Sequence, residues 1–190
     1  MAGSTSVPTP GGASARDLHI IFVTELELKE ALSLLVHTIV FQRLVGEAVY
    51  PEEIESQFGL YYVRVPTKYV SDEVNQGIEQ AYDVATKRAA SNTTELMVSF
   101  YIQDKDTKKE RHELERWKIP FQLVTHTTNR TNIVDSLKSN LQDIVRQAQE
   151  RDGFKLLPNE AVTFRAYVRD APIPKRDSSL WGWFRGLAAT

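Results

Sequence analysis

The sequence predicts an α+β domain in which about three helices pack on a mostly antiparallel sheet. Three observations predict it. The run from Glu25 to Val45 has helical spacing and is apolar around almost its whole circumference, so it must be buried on most sides. Two alternating runs, Glu95 to Gln103 and Trp117 to Leu123, flank a charged stretch in the manner of a long hairpin. Strand-like and helical runs do not alternate regularly, which argues against a parallel doubly wound sheet.

Leu18 to Val23 (LHIIFV) is β-rich and reads as a first strand. In the helix that follows, Leu28, Ala31, Leu32, Leu35 and Ile39 set the stripe, and Val36, Val40, Phe41, Leu44 and Val45 widen it; Gly46 is its expected stop. LYYVRV, between Gly59 and Pro66, reads as a strand. Ser71, Asp72 and Glu73 then read as the cap and acidic first turn of a second helix. Its stripe is Val70, Val74, Ile78, Ala81, Tyr82 and Ala85, narrow enough for a surface helix.

SNTT at 91–94 signals a turn before the hairpin. Leu96, Val98, Phe100 and Ile102 point one way in its first arm; Trp117, Ile119, Phe121 and Leu123 alternate in its second. Gln103 to Glu113 reads as the loop, and Pro120, which lacks an amide donor, predicts an edge or a bulge. A third helix is expected from about Asn132 to Arg151, with Val134, Leu137, Leu141, Ile144, Val145 and Ala148 inward and Gly153 ending it. Val162, Phe164, Ala166 and Val168 alternate as a last strand.

These readings divide the 190 residues into a disordered leader over 1–17, a domain over 18–170 and a Pro-punctuated aromatic tail over 171–190. About 150 ordered residues bury roughly 68–70% of their unfolded surface, so no staple is needed. A net charge of -2 exerts no global pull toward nucleic acid or anionic lipid, and no nucleic-acid partner is expected. There is no cysteine, which excludes a disulfide framework, thiolate zinc sites and a cysteine nucleophile. No apolar run approaches the ~20 residues of a transmembrane helix.

Catalytic chemistry finds no support. GxGxxG, a Walker loop, HExxH and GxSxG are absent, so no cofactor, metal ligand set or catalytic residue is assigned and the chain reads as non-enzymatic. His37, mid-helix among apolar residues, reads as a core histidine. The carboxylates Glu52, Glu53 and Glu55, and Glu110, Glu113 and Glu115, read as solvated loop. The unusual segment is Leu180 to Arg185, LWGWFR, which holds two of the three tryptophans. It suits docking on the domain's own core, an exposed anchor for a partner, or insertion at a membrane surface. Trp181, Trp183 and Phe184 are the partner-binding candidates it supplies.

Several short motifs resemble those of HORMA domains, and most of all the autophagy-related protein 101 branch. Leu35 to Arg43 (LVHTIVFQR) resembles the first long helix of that branch, with Gln42-Arg43 in place of a histidine-arginine pair. Tyr62-Val63-Arg64-Val65 is similar to its tyrosine-valine strand, and Leu114-Glu115-Arg116-Trp117 resembles the "ERW" strand start of HORMA proteins generally. The resemblance covers roughly residues 18–170 and implies a HORMA-like fold. Mobile HORMA domains close a C-terminal safety belt around a peptide. About 20 residues follow Val168 here, so the expectation is an open-like state without a belt.

The resemblance further implies an adaptor of the autophagy-initiation (Atg1/ULK) kinase complex. Such a protein is cytoplasmic and recruited to the autophagosome assembly site. It heterodimerises with the HORMA domain of autophagy-related protein 13, contacts other initiation subunits and recruits downstream factors. HORMA dimers commonly use the third helix, which makes Gln142 and Arg146 candidate contacts. The family's Trp-Phe finger has no counterpart in the loop at 103–113, which contains no aromatic residue. The alternative is a peptide-clamping HORMA adaptor in checkpoint, meiotic or DNA-repair signalling, which Leu114 to Trp117 suits equally. Replacing Trp183 and Phe184 together by alanine is expected to leave the melting temperature nearly unchanged if they face a partner; a loss of about 3–5 kcal/mol in denaturant titration would place them in the core.

Overall fold

The computed structural model describes residues 14–44, 50–88, 92–107, 109–125, 130–150, 160–169 and 171. Its elements run β1 (Ser14–Asp17), β2 (Ile21–Val23), α1 (Glu25–Leu44), β3 (Glu52–Glu55), β4 (Tyr61–Arg64), α2 (Lys68–Lys87), β5 (Thr94–Asp104), β6 (Glu110–Leu123), α3 (Arg130–Gln149) and β7 (Glu160–Val168). The main sheet has the order β1-β6-β5-β7, with β2 also on β6; β3 and β4 form a separate pair. β5 is antiparallel to both β6 and β7, while β1 and β2 run parallel to β6. Three helices on a mostly antiparallel, mixed sheet make the expected α+β fold.

Thr24 and Glu27 start α1 as a T-x-x-E pair: the Glu27 carboxylate accepts the Thr24 N–H at 3.0 Å and its hydroxyl at 2.7 Å. Glu25 and Glu27 in the first turn and Arg43 in the last complement the helix dipole. Leu28, Ala31, Leu32, Leu35, Ile39 and Val40 are fully buried. α1 contacts both other helices and β4. α2 lies along β7 and β5, and α3 contacts β2, so each outer helix covers one end of the sheet. The inward series of the hairpin meets them with Leu96, Val98 and Phe100 on β5 and Trp117, Ile119 and Phe121 on β6.

Several boundaries differ from the sequence reading. Ser14–Asp17, read with the leader, form β1, and the strand expected over 18–23 is shortened to β2 at Ile21–Val23. α2 starts earlier than Ser71. Thr67 has extended backbone and its side chain accepts the Val70 N–H at 3.3 Å, while the Ser71 N–H already bonds the Thr67 carbonyl at 3.0 Å. Glu52–Glu55, read as loop, pair with β4. The hairpin tip is tighter than 103–113 because both strands run further. The Asp104 carboxylate accepts the N–H groups of Asp106 and Thr107 at 2.9 Å and turns the chain. Pro120 marks neither an edge nor a bulge. It pairs opposite Glu95 of β5, and on its other side falls in the gap between β1 and β2, where its missing N–H costs no ladder bond. The bulges of β5–β6 lie elsewhere, beside Phe100 and Ile102. Gly46, Gly153 and Ser91, expected as stops and turn, lie outside the described residues.

His37 is 4% exposed and stacks on Tyr62 with ring centroids 5.9 Å apart, as a core histidine should. Burial, and secondarily the charge of Arg64, lowers its pKa from 6.5 to about 4. The unfolded chain therefore binds a proton between pH 6.5 and 4 that the folded chain refuses, and stability falls as pH drops through that window. The full effect is about 3 kcal/mol. His37→Gln is expected to lose less stability than the wild type between pH 6.5 and 4 in urea titrations; parallel profiles for the two proteins would contradict this assignment.

Candidate functional site

Glu115 sits on the inward side of β6 with no exposed surface. One of its oxygens meets two arginines: Arg16 of β1, Nε at 2.7 Å, and Arg43 of α1, Nη2 at 3.0 Å and Nε at 3.2 Å. Arg16 also lies over the ring of Trp117, 5.3 Å from its centroid. Arg43 donates from Nη1 to the carbonyl of Ala148 in the last turn of α3, at 3.2 Å. A single carboxylate thus connects the outer strand, the central helix, the sheet and the end of α3.

Glu115 overturns its reading as part of a solvated loop; so, in part, do its neighbours. Glu110 is paired with Arg165 at 2.6 Å and Glu113 with Arg116. Glu52 is exposed and paired with Arg64 at 2.5 Å. The "ERW" residues Glu115 and Trp117 are both buried, so this motif specifies packing rather than a ligand.

α3 is held to the sheet by a second buried polar group. The Asn140 side chain accepts the His19 N–H at 2.8 Å and donates to the His19 carbonyl at 3.1 Å. Asn140 has no exposed surface, and it satisfies both backbone groups of the residue between β1 and β2. Sequence reasoning passed over it, although it falls on the same helical stripe as Leu137 and Ile144.

These two attachments leave the opposite face of α3 outward. Gln142 and Arg146, the sequence candidates, are both exposed there. Arg146 bridges Asp143 at 2.9 Å and Glu150 at 2.7 Å, and Asp143 also meets the ring of His19 at 3.1 Å. Phe22 on β2 keeps 50% of its surface exposed, on the side opposite the buried Ile21 and Val23. The result on α3 is a charged row along a fixed helix. Trp181, Trp183 and Phe184 lie outside the described residues. Among the described residues no group of three or more histidines and carboxylates is arranged to hold a metal ion, and no helix is long and apolar enough to cross a membrane.

Removing one partner from a buried ion cluster strands the others and costs about 3–5 kcal/mol. Glu115→Gln is therefore expected to lower stability by roughly 3 kcal/mol or more in chemical denaturation, whereas Gln142→Ala should change it by less than about 0.5 kcal/mol. A Glu115→Gln protein as stable as the wild type would show that the arginines do not depend on this carboxylate.

A search of curated proteins returns no match to the chain. Residues 20–156 match the model of the family described as Autophagy-related protein 101, a stretch that runs from β2 past the end of α3 and covers well over half of the chain. The fold and this match together place the chain in the autophagy-related protein 101 family, a HORMA-type family.

Proposed function

We propose that this chain is a non-enzymatic adaptor of autophagy initiation that binds its partners on a preformed exterior. Within that reading it heterodimerises with the HORMA domain of autophagy-related protein 13, using the outer face of α3, and joins the Atg1/ULK kinase complex. It acts in the cytoplasm at the autophagosome assembly site. Trp181, Trp183 and Phe184 recruit downstream factors.

Family membership supports the link to autophagy. The observation that carries the mode of binding is the filled edge of β6. β1 covers it from Glu115 to Lys118 and β2 from Phe121 to Leu123. A returning C-terminal segment would have to displace both strands, and the Arg16–Glu115 pair with them. A preformed surface needs no such rearrangement and avoids its cost. α3 suits the role because Asn140 and Arg43 hold it from behind while Gln142 and Arg146 face outward.

The peptide-clamp alternative drew on Leu114 to Trp117. Glu115 and Trp117 are spent in the core, so that motif no longer favours it.

The test is titration of the full chain against the HORMA domain of autophagy-related protein 13, followed by calorimetry. Gln142→Ala with Arg146→Glu is expected to weaken binding about tenfold or more, with the melting temperature shifted by no more than about 2 °C. Full affinity in the double variant would remove α3 as the contact. Absence of binding by the wild type at micromolar concentration would remove the heterodimer.

A further inference from the structure

The main sheet ends in β1 and β2, both on β6, at one side. Among the described residues β7, at the other end, pairs with β5 alone within the sheet. In an antiparallel strand successive backbone groups alternate between the inner and outer sides. The Arg169 N–H points inward, to the Glu95 carbonyl at 3.0 Å. Phe164, Ala166 and Val168 therefore present their N–H and C=O groups outward, where an added strand would bond them.

Side chains of α2 already occupy those positions. The Tyr69 hydroxyl donates to the Phe164 carbonyl at 2.9 Å and accepts the Phe164 N–H at 3.4 Å; it also lies 2.6 Å from the Thr163 hydroxyl. The Glu73 carboxylate accepts the Ala166 N–H at 3.3 Å, and the Gln80 side-chain carbonyl accepts the Val168 N–H at 2.9 Å. The Val168 carbonyl takes the N–H of Ala171 at 3.2 Å. Residues 69, 73, 77 and 80 share one face of a helix.

Gly77 makes the approach possible. A Cβ there would meet the Ala166 Cβ at 2.5 Å and the Ala166 carbonyl oxygen at 2.8 Å, so the helix backbone rests directly on the strand. From Tyr69 to Gln80 the helix rises about 16 Å; from Phe164 to Val168 the strand extends about 14 Å. The two lengths match, so one helix face covers the outward groups from Phe164 to Val168.

We propose that α2 is an edge seal: Tyr69, Glu73 and Gln80 act as a substitute strand that keeps β7 from pairing with a second copy of this chain. The edge is self-complementary. In a two-fold antiparallel pairing centred on Ala166, Phe164 of one copy meets Val168 of the other, and all the outward groups find partners. With the seal in place the three N–H groups and the Phe164 and Val168 carbonyls are taken. With the seal removed they form an open edge that a second copy completes.

The experiment compares the wild-type full chain with the triple variant Tyr69→Phe, Glu73→Ala, Gln80→Ala, by residue-resolved amide exchange and sedimentation over a range of concentrations. At low concentration, exchange at Ala166 and Val168 is expected to accelerate about tenfold or more, while Arg165 and Tyr167, bonded inward to β5, stay protected. At high concentration the variant is expected to gain a dimer that the wild type does not form through this edge. Unchanged exchange at Ala166 and Val168 would overturn the seal. Accelerated exchange with no change in mass would overturn the second copy as occupant. Should the triple variant unfold, Gln80→Ala alone decides: it is expected to accelerate Val168 and leave Ala166 unchanged, and a protected Val168 amide would overturn the proposal.

Discussion

Glu115, without exposed surface between Arg16 and Arg43, is the constraint on which the rest of the arrangement depends. Burying charge is costly, and such a cluster is retained only where geometry repays it. Here it fixes register. β1 is short and offers little apolar surface, so hydrophobic contact alone would set it weakly on β6. Arg16 removes the ambiguity. A slip of one residue would bring Ala15 or Asp17 to the carboxylate, leaving it with Arg43 alone or beside a like charge. With β1 placed, the break before β2 is placed, and His19 comes to lie where Asn140 reaches it.

The interior therefore dictates the exterior. α3 is attached near its middle by Asn140 and near its end by the Arg43 contact to Ala148. Two attachments along one helix fix its rotation as well as its position, and so decide which residues face outward. The ion pairs on that outer face contribute little to stability, because exposed pairs are screened and cost side-chain entropy. On the proposed function their weight lies in placement: a charged row on a doubly attached helix meets a partner without reordering.

Most of the fold was legible because its largest elements carry strong periodicity. The all-round apolar run of α1 could only be buried, and the alternation from Leu96 to Ile102 and from Trp117 to Leu123 could only be a hairpin with one face inward. What escaped was short or charged. SARD has no β-branched or aromatic residue and EEIE has Ile54 alone, too little to announce a strand; partner strands, not their own composition, make them extended. Glu115 was concealed by its charge, yet it stands in phase with Trp117, Ile119 and Phe121, and that phase was the available signal. Asn140 likewise kept the helical phase of Leu137 and Ile144. Of the candidate surface, Gln142 and Arg146 are exposed as expected, while the clamp behind them was not visible, because no local pattern links residue 19 to residue 140.

Unpaired strand backbone invites pairing with another chain, and this chain covers the outer sides of β6 and β7 from within. At β6 the solution is covalent order: the strands that precede α1 return parallel to β6 and are pinned by a buried charge. At β7 it is a helix whose glycine allows contact and whose polar side chains replace a ladder. Both solutions consume backbone groups that a clamping domain would keep for its ligand. On the proposed function, the contact with the partner domain falls to side-chain chemistry, and α3 offers it a doubly attached helix with an outward charged face. On that proposal, partner choice follows from the side chains α3 presents, set by substitution on one helix face and not by rearrangement of the sheet.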